Sequence, residues 1–239
     1  EYRCDGLPLG ETVYTNTPSS STDIPPHEFE EGFCTVCGSL QEDYLTPVDG
    51  WYEISNGAEL LWWNHYAAKN LNVNARLTDN IDMDGYSDRW TAVGTEGKPF
   101  YGNFDGQYHI ISNLIVDGFT NADNSRDAVA AAALVHTNSG TISNVIVKNS
   151  HITAQRATAG GVVAINYGTI ERCENGATIT LKSEALNATS YIGGLVGRNG
   201  YVICDSRNSG NIVVEARSSA SEANLSLFVG GVVGGMVKR

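Results

Sequence analysis

The chain has few basic residues, few methionines and no long apolar run. Its 15 lysines and arginines stand against 27 aspartates and glutamates, which gives a formal net charge of −12 over 239 residues. Proteins that bind nucleic acid or anionic membranes place lysine and arginine on phosphates, so this balance argues against both partners. No apolar run approaches the roughly 20 residues that cross a bilayer. We therefore expect no nucleic-acid partner and no transmembrane segment in this chain.

The start of the chain lacks the pattern of a signal peptide. It opens on Glu1 rather than Met, which indicates that a leader was removed, by processing or by design. Gly, Asn, Ser and Thr are abundant, whereas Met occurs only twice. This composition favours export, so we expect an extracellular or cell-surface location.

Five cysteines cannot all pair, and three of them lie at the front as Cys4, Cys34 and Cys37. The stretch HEFEEGFCTVCG at 27–38 opens like the H-E-x-x-H motif of zinc peptidases, but Glu31 stands where the second histidine is required. Its end, Cys34-x-x-Cys37 followed by a glycine, is the tight turn by which two thiolates hold one metal ion. The stretch therefore predicts a metal site that still needs two more ligands.

Composition divides the chain near residue 47. Residues 1–47 are rich in turn formers and have no sustained apolar period, so this segment needs a staple such as a metal ion. Residues 48–239 read differently, and they begin with a short strand and a helix capped near Ser55 or Asn56. Leu60, Trp63 and Ala67 give that helix one apolar face. We predict a small first module and a second, larger domain.

An internal repeat dominates the second domain. AALVHTNSGTIS at 132–143, GGVVAINYGTIE at 160–171, GGLVGRNGYVIC at 193–204 and GGVVGGMVKR at 230–239 align without gaps, with starts 28, 33 and 37 residues apart. Constant strand segments with loops of variable length are typical of a parallel β-solenoid, in which only the strands must stack. We therefore predict an all-β fold whose helix caps the first end of the stack.

The same alignment makes predictions for single side chains. Asn138, Asn166 and Asn199 should lie one above another as an amide ladder. Arg172 should lie over Asp205 and form an exposed ion pair with it. Cys173 and Cys204 fall on diagonal positions, and we expect one inward thiol and one surface thiol rather than a disulfide.

The repeats resemble the GLUG-repeat proteins of bacterial cell surfaces, named for a Gly-Leu-any-Gly core that here reads Gly194-Leu195-Val196-Gly197. The resemblance covers about residues 48–239, including LTDNIDMDG and FYGNFDGQYHIISNLIV ahead of the repeats. It implies a right-handed parallel β-helix outside the cell, often inside longer adhesin-like chains and some peptidases. It implies no activity for the repeat itself.

The front resembles a short module that precedes such repeats, with Cys-Asp-Gly, Pro-His and Gly-x-Cys-x-x-Cys-Gly in order. This resemblance supplies the missing ligands: Cys4, His27, Cys34 and Cys37 form a Cys3His set, which suits a closed structural zinc site. The first ligand stands alone here rather than in a second Cys-x-x-Cys. The alternatives are a disulfide between Cys34 and Cys37, a disulfide with Cys4, or free thiols in an unstructured leader.

Two weaker signals have plainer explanations. Asp79, Asp82, Asp84 and Asp88 lie close together but do not follow the EF-hand spacing, so calcium is not expected and strand-ending turns are. Trp51, Trp62, Trp63 and Trp90 could stack on sugars, although core packing is the preferred interpretation.

We read the whole as a non-catalytic extracellular or cell-surface module with a structural or adhesive role, which binds a surface ligand, glycan or protein. The rival interpretations are a carbohydrate-binding or polysaccharide-cleaving β-helix protein and the accessory region of a surface peptidase. A cleaving enzyme would need a charged cluster in a groove along the stack. Because the fourth repeat stops early, we also expect the natural chain to continue.

Overall fold

The computed structural model of the protein describes residues 27–87, 90–118, 131–154, 158–183, 189–216 and 226–237. Across these ranges the secondary structure is almost entirely β, with one α-helix near the front. The elements before the repeats are β1 (Phe29–Glu30), β2 (Phe33–Cys34), β3 (Trp51–Ile54), α1 (Gly57–Lys69), β4 (Asn74–Leu77), β5 (Ile81–Asp82), β6 (Asn103–Asp105), β7 (Ile110–Ser112) and β8 (Ile115–Gly118).

The repeats supply the remaining strands. The first repeat holds β9 (Ala131–Ala132), β10 (Val135–Asn138), β11 (Thr141–Ser143) and β12 (Ile146–Ala154). The second holds β13 (Thr158–Gly160), β14 (Val163–Asn166), β15 (Thr169–Glu171) and β16 (Glu174–Ser183). The third holds β17 (Thr189–Gly193), β18 (Val196–Asn199), β19 (Val202–Cys204), β20 (Arg207–Asn208) and β21 (Ile212–Ala216), and the fourth holds β22 (Ser226–Gly230) and β23 (Val233–Met236).

Strands of successive repeats lie side by side in four parallel sheets. Their orders are β9-β13-β17-β22, β10-β14-β18-β23, β3-β4-β6-β11-β15-β19 and β5-β7-β12-β16-β20, the last with β8 and β21 attached. Each of the first three repeats therefore gives at least one strand to every sheet. This arrangement confirms the prediction of an all-β fold built on parallel pairing.

The strand register follows the sequence alignment of the repeats. Val135 pairs with Val163, Val163 with Val196, and Val196 with Val233, and these steps are the 28, 33 and 37 residues predicted. The loops absorb the differences in length, since the strand positions stay matched. The inward side chains of the stacked strands, such as Ile142 and Ile170, are fully buried. Burial of this apolar surface is the main stabilising contribution to the stack.

The predicted asparagine ladder is present. The Asn138 amide nitrogen donates to the Asn166 side-chain oxygen at 2.9 Å, and that of Asn166 donates to Asn199 at 2.8 Å. Each side chain also closes its own turn: the Asn166 oxygen accepts from the Gly168 amide at 3.1 Å, and its nitrogen donates to the Gly168 carbonyl at 2.8 Å. The buried polar atoms of this ladder therefore find partners within the stack.

A second amide pair was not predicted from the sequence. The Asn175 side-chain nitrogen donates to the Asn208 oxygen at 2.9 Å, one corner further along the chain. Gly194 lies directly against it, because a Cβ at Gly194 would overlap both the Asn208 side chain and the Gly231 carbonyl oxygen. The glycine that opens the Gly-Leu-Val-Gly core is thus required by close packing between repeats.

Helix α1 packs into the core at the front of the stack. Asn56 is its N-cap and accepts a hydrogen bond from the Glu59 amide at 3.0 Å, while the Glu59 carboxylate accepts from the Ser55 amide. The predicted apolar face is buried, and Trp63 lies against Phe104 with ring centroids 4.7 Å apart. Trp62, on a different side of the helix, is equally buried. Core packing is therefore confirmed for these two tryptophans.

The predicted ion pair between Arg172 and Asp205 is wrong. The Arg172 guanidinium donates to Glu171 at 2.6 Å and to the Asn144 side-chain oxygen at 2.8 Å instead. Arg172 and Asp205 both adopt positive φ, near 52° and 49°. At this corner the side chain of Arg172 turns back to its own repeat and the one before, where a carboxylate and an amide oxygen meet it.

The two cysteines of the repeats are free thiols, and Cys173 is the buried one. Its amide donates to the Ser206 hydroxyl at 3.0 Å, as the alignment predicts. Burial raises the pKa of the Cys173 thiol to about 12, so at neutral pH it is an inert core group.

Candidate metal centre

The described metal ligands lie around a short hairpin: His27 precedes it, Cys34 ends its second strand and Cys37 lies in the loop after it. Strands β1 and β2 pair antiparallel, with Phe29 opposite Cys34. Glu31 and Gly32 connect them at φ values of 49° and 82°. A two-residue turn with two positive φ values matches the twist of a hairpin and needs a glycine at one position at least. The Glu31-Gly32 pair meets this requirement, and the hairpin it forms places Cys34 at the end of β2.

The Cys-x-x-Cys segment then folds into a tight turn. The Gly38 amide donates to the Cys34 carbonyl at 2.9 Å, and Gly38 has a φ of 70° that favours glycine. The turn brings Cys37 back beside Cys34. The ligand atoms of His27, Cys34 and Cys37 all lie within 4.8 Å of one another. Three of the four predicted ligands therefore converge, and Cys4 lies outside the described residues.

The donor set fits a zinc ion. Zinc prefers thiolate and imidazole donors at about 2.0–2.3 Å in a tetrahedron, which sets its ligand atoms roughly 3.5–4 Å apart. The Cys37 sulfur lies 3.7 Å from Nδ1 of His27. Cys34 is buried, whereas Cys37 and His27 are exposed. The residues present could thus hold one metal ion by three donors, at the surface of the module.

The charge of the two sulfurs acts on the histidine. The pKa of His27 is raised above its ordinary value, chiefly by its hydrogen bond with Cys34 and further by Cys37. The two sulfurs that favour a proton on His27 would also favour a divalent cation at this place, because a metal ion bound by both sulfurs and the imidazole replaces that proton. The His27 ring stacks on Phe29, with centroids 5.5 Å apart, which fixes its orientation.

The loop around this site is anchored to helix α1. Phe33 is buried and meets the His65 ring edge-on at 5.2 Å. The Gln41 amide donates to the Gly32 carbonyl at 2.8 Å, and the Gln41 carbonyl accepts from the Trp62 indole at 2.6 Å. These contacts join the front segment to Trp62, which is part of the buried core.

The aspartates considered for calcium serve as turn residues. One Asp82 oxygen accepts from the Asp84 amide at 3.0 Å and from the Asn113 side chain at 2.8 Å. These hydrogen bonds, that of Asp84 first, lower the pKa of Asp82. Asp79 accepts from the Asn80 amide at 2.7 Å, and Asp88 lies outside the described residues. The turn interpretation is supported by these bonds.

A charged groove between repeats is a second feature, and sequence reasoning missed it. Tyr108, Arg172, Glu174, Asp205 and Arg207 line a cavity of about 390 Å³ where β15 leads into β16 and β19 into β20. The Glu174 carboxylate accepts from Arg207 at 2.7 Å. The stacking of β16 on β20 pairs Glu174 with Arg207, so the alignment of the repeats contained this contact.

Zinc binding leads to a direct prediction. Protein purified without a chelator should contain about one zinc per chain, and Cys37→Ser should reduce this to near zero because a neutral hydroxyl replaces a thiolate ligand. Elemental mass spectrometry measures the content, and a thermal melt should show a lower midpoint for the variant. Cys204→Ser, which removes a half-buried thiol far from the site, should keep both values. Equal zinc content in the two variants would contradict the assignment.

Among the described residues, no helix is long and apolar enough to span a membrane. No protein-family model matches the chain. It is similar to Halomucin from Haloquadratum walsbyi, at 29% identity over 159 residues that make up 63% of this chain. The chain spans only about 2% of the length of that curated relative.

One solved structure shares a fainter similarity. It is the crystal structure of a protein from Bacteroides ovatus assigned as a candidate immunoglobulin A1 protease, with 16% identity over 78% of this chain and 84% of the other. The TM-score is 0.27, so this similarity carries no argument about activity.

Proposed function

We propose that the chain is a non-catalytic extracellular or cell-surface module in which a GLUG-type right-handed parallel β-helix forms an adhesive scaffold behind a zinc-stapled segment. The observation that carries the proposal is the constant register of the four repeats, the first three of which are joined by the asparagine ladder. Rigid stacks of this kind present side chains on an extended surface. The four parallel sheets would then be successive faces of one helical stack.

The zinc site fits a structural role in this proposal. A Cys3His set completed by Cys4 leaves no open position for a substrate or water. The described ligands lie on a hairpin that packs on α1 through Phe33. The ion would supply a cross-link that holds the front segment against the first strands of the stack.

The charged groove supports a binding role more than a cleaving one. Glycoside hydrolysis uses a carboxylic acid whose pKa is raised so that it can donate a proton. The hydrogen bond from Arg207, followed by that from Ser209, instead lowers the pKa of Glu174. A carboxylate held ionised accepts hydrogen bonds but is a poor proton donor. Glu174 therefore lacks the raised pKa that the proton donor of a glycosidase needs, which leaves hydrogen-bond acceptance as the role that fits it.

The similarity to Halomucin supports a modular role as well. The match covers most of this chain and a very small part of the relative, as expected of a repeat-built unit that recurs inside long polypeptides. The abundance of Gly, Asn, Ser and Thr and the excess of acidic over basic residues agree with a surface location.

Adhesion can be measured directly. Beads coated with the full chain are allowed to settle on three surfaces: immobilised mucin, deglycosylated mucin and serum albumin. The measured quantity is the shear force of a laminar flow at which half of the beads detach. We expect retention on at least one protein surface above that of beads coated with a denatured chain. Equal detachment from every surface would overturn the adhesive role and leave the fold assignment untouched.

A further inference from the structure

The groove runs along one corner of the stacked strands, from Tyr108 ahead of the first repeat to Asp205 and Arg207 in the third, and it combines three kinds of group. Arg172 and Arg207 supply donors, Glu174 and Asp205 supply acceptors, and Tyr108 supplies an aromatic ring. Two cations and two anions leave the lining without net formal charge. A ligand that fits such a lining accepts and donates hydrogen bonds together, and the lining offers no net charge to attract an ion.

Two of the polar groups, Glu174 and Arg172, are held in position before any ligand arrives. Glu174 accepts from the Ser209 hydroxyl at 3.1 Å in addition to Arg207, and only 14% of its side chain is exposed. Arg172 is held by Glu171 and Asn144, and it also interacts with the Tyr108 hydroxyl. Such networks reduce the cost of ordering side chains on binding.

Tyr108 gives the groove an apolar surface. Its side chain is 60% exposed, although its backbone is fixed at a φ of 62° by a hydrogen bond from its amide to the Asn144 carbonyl. An exposed aromatic ring on a rigid corner has no role in the core. Among the described tryptophans, 62, 63 and 90 are buried and cannot provide a stacking surface for a ligand, whereas Trp51 is half-buried and does not line the groove.

We infer that this groove binds an uncharged sugar, with one pyranose ring on Tyr108 and its hydroxyls accepting from the guanidinium of Arg207 and donating to the carboxylates of Glu174 and Asp205. A pyranose has an apolar face for the ring and adjacent hydroxyls that donate and accept at once. The cavity volume of about 390 Å³ lies within the range of small-ligand sites. The inference names the ligand class for the adhesive role and rests on that proposed function.

The test uses the full chain and the methyl glycosides of glucose, galactose and mannose. Saturation-transfer difference NMR should detect binding of at least one of these glycosides. Tyr108→Ala should raise its dissociation constant by about tenfold or more. Tyr201→Ala is the matched control, because Tyr201 is 49% exposed and does not line the groove. Asp205→Asn should weaken binding as well, since the variant loses an anionic acceptor.

Two results would overturn the inference. One is no saturation transfer to any of the three glycosides, and the other is binding that Tyr108→Ala leaves unchanged. Galacturonic acid is the charged comparison, and tighter binding of it than of the neutral sugars would also count against a neutral ligand. Circular dichroism and a thermal melt confirm that each variant is folded.

The bead measurement separates this inference from the adhesive role. Adhesion that survives Tyr108→Ala and persists on deglycosylated mucin leaves adhesion standing and rejects the sugar. Adhesion lost in Tyr108→Ala but kept in Tyr201→Ala supports both.

Discussion

Replacing Asn166 by aspartate should destabilise the stack by about 3–5 kcal/mol, because the change removes a buried donor and leaves acceptors facing one another. The Asn166 nitrogen donates to the Gly168 carbonyl and to the Asn199 side chain, and the residue is fully buried. A carboxylate at this position would place a charge against two oxygens. Urea unfolding followed by circular dichroism measures the loss.

Acidification provides an internal check on this variant. Burial disfavours the charged form of a carboxyl group, so protonation of the new aspartate is favoured in the folded state. The protonated form regains one O–H donor. Its stability relative to the unmutated protein should therefore recover in part as the pH falls and be lost again as the pH rises.

Asn208→Asp is the matched control for the ladder. Asn208 makes the same hydrogen bonds to Gly210 that Asn166 makes to Gly168, but it is only half-buried and receives its ladder bond from one side, from Asn175. Less than half the loss is expected. Equal losses in the two variants, or a loss below about 1 kcal/mol for Asn166→Asp, would show that the ladder contributes little beyond single turns.

Gly194→Ala should cost about 3 kcal/mol, which is large for the addition of one methyl group. The new Cβ would overlap the Gly231 carbonyl oxygen of the next repeat and the Asn208 side chain, so two neighbouring repeats must separate or twist. Because the contacts are backbone and a hydrogen-bonded amide, neither can move aside cheaply. A thermal melt and urea unfolding both report the change.

The chain supplies its own control at the equivalent position of the next repeat. Gly231 follows Gly230, which pairs with Gly193, yet a Cβ at Gly231 would meet nothing within 4 Å among the described residues. Gly231→Ala should therefore stay within about 0.5 kcal/mol. If both substitutions are equally harmful, the glycines act through the backbone alone and the inter-repeat contact is not the cause.

The repeat architecture was predictable because it depends on spacing. A strand position that must stack in successive repeats holds a similar residue at a fixed place in the alignment. Asn138, Asn166 and Asn199 are such a set. The steps of 28, 33 and 37 residues are visible in the letters and return as the pairing of Val135, Val163, Val196 and Val233. The Cys-x-x-Cys turn with its glycine was visible for the same reason.

Side-chain directions at corners were not predictable in this way. The alignment places Arg172 over Asp205, but positive φ values at that corner send the guanidinium toward Glu171 and Asn144. Core packing was predicted for Trp62, but its contacts with Gln41 and Tyr44 were not, because these two residues lie in a segment without periodicity. Alignment fixes which residues are neighbours and leaves open where their long side chains point.

The amide ladders have a direction. In the bonds from Asn138 to Asn166, from Asn166 to Asn199 and from Asn175 to Asn208, the nitrogen of the earlier repeat donates to the oxygen of the later one. The amide dipoles therefore add along the axis, and each bond polarises the next. The repeats therefore share one hydrogen-bonding polarity along the axis, which runs from the earlier repeat to the later one at every ladder bond.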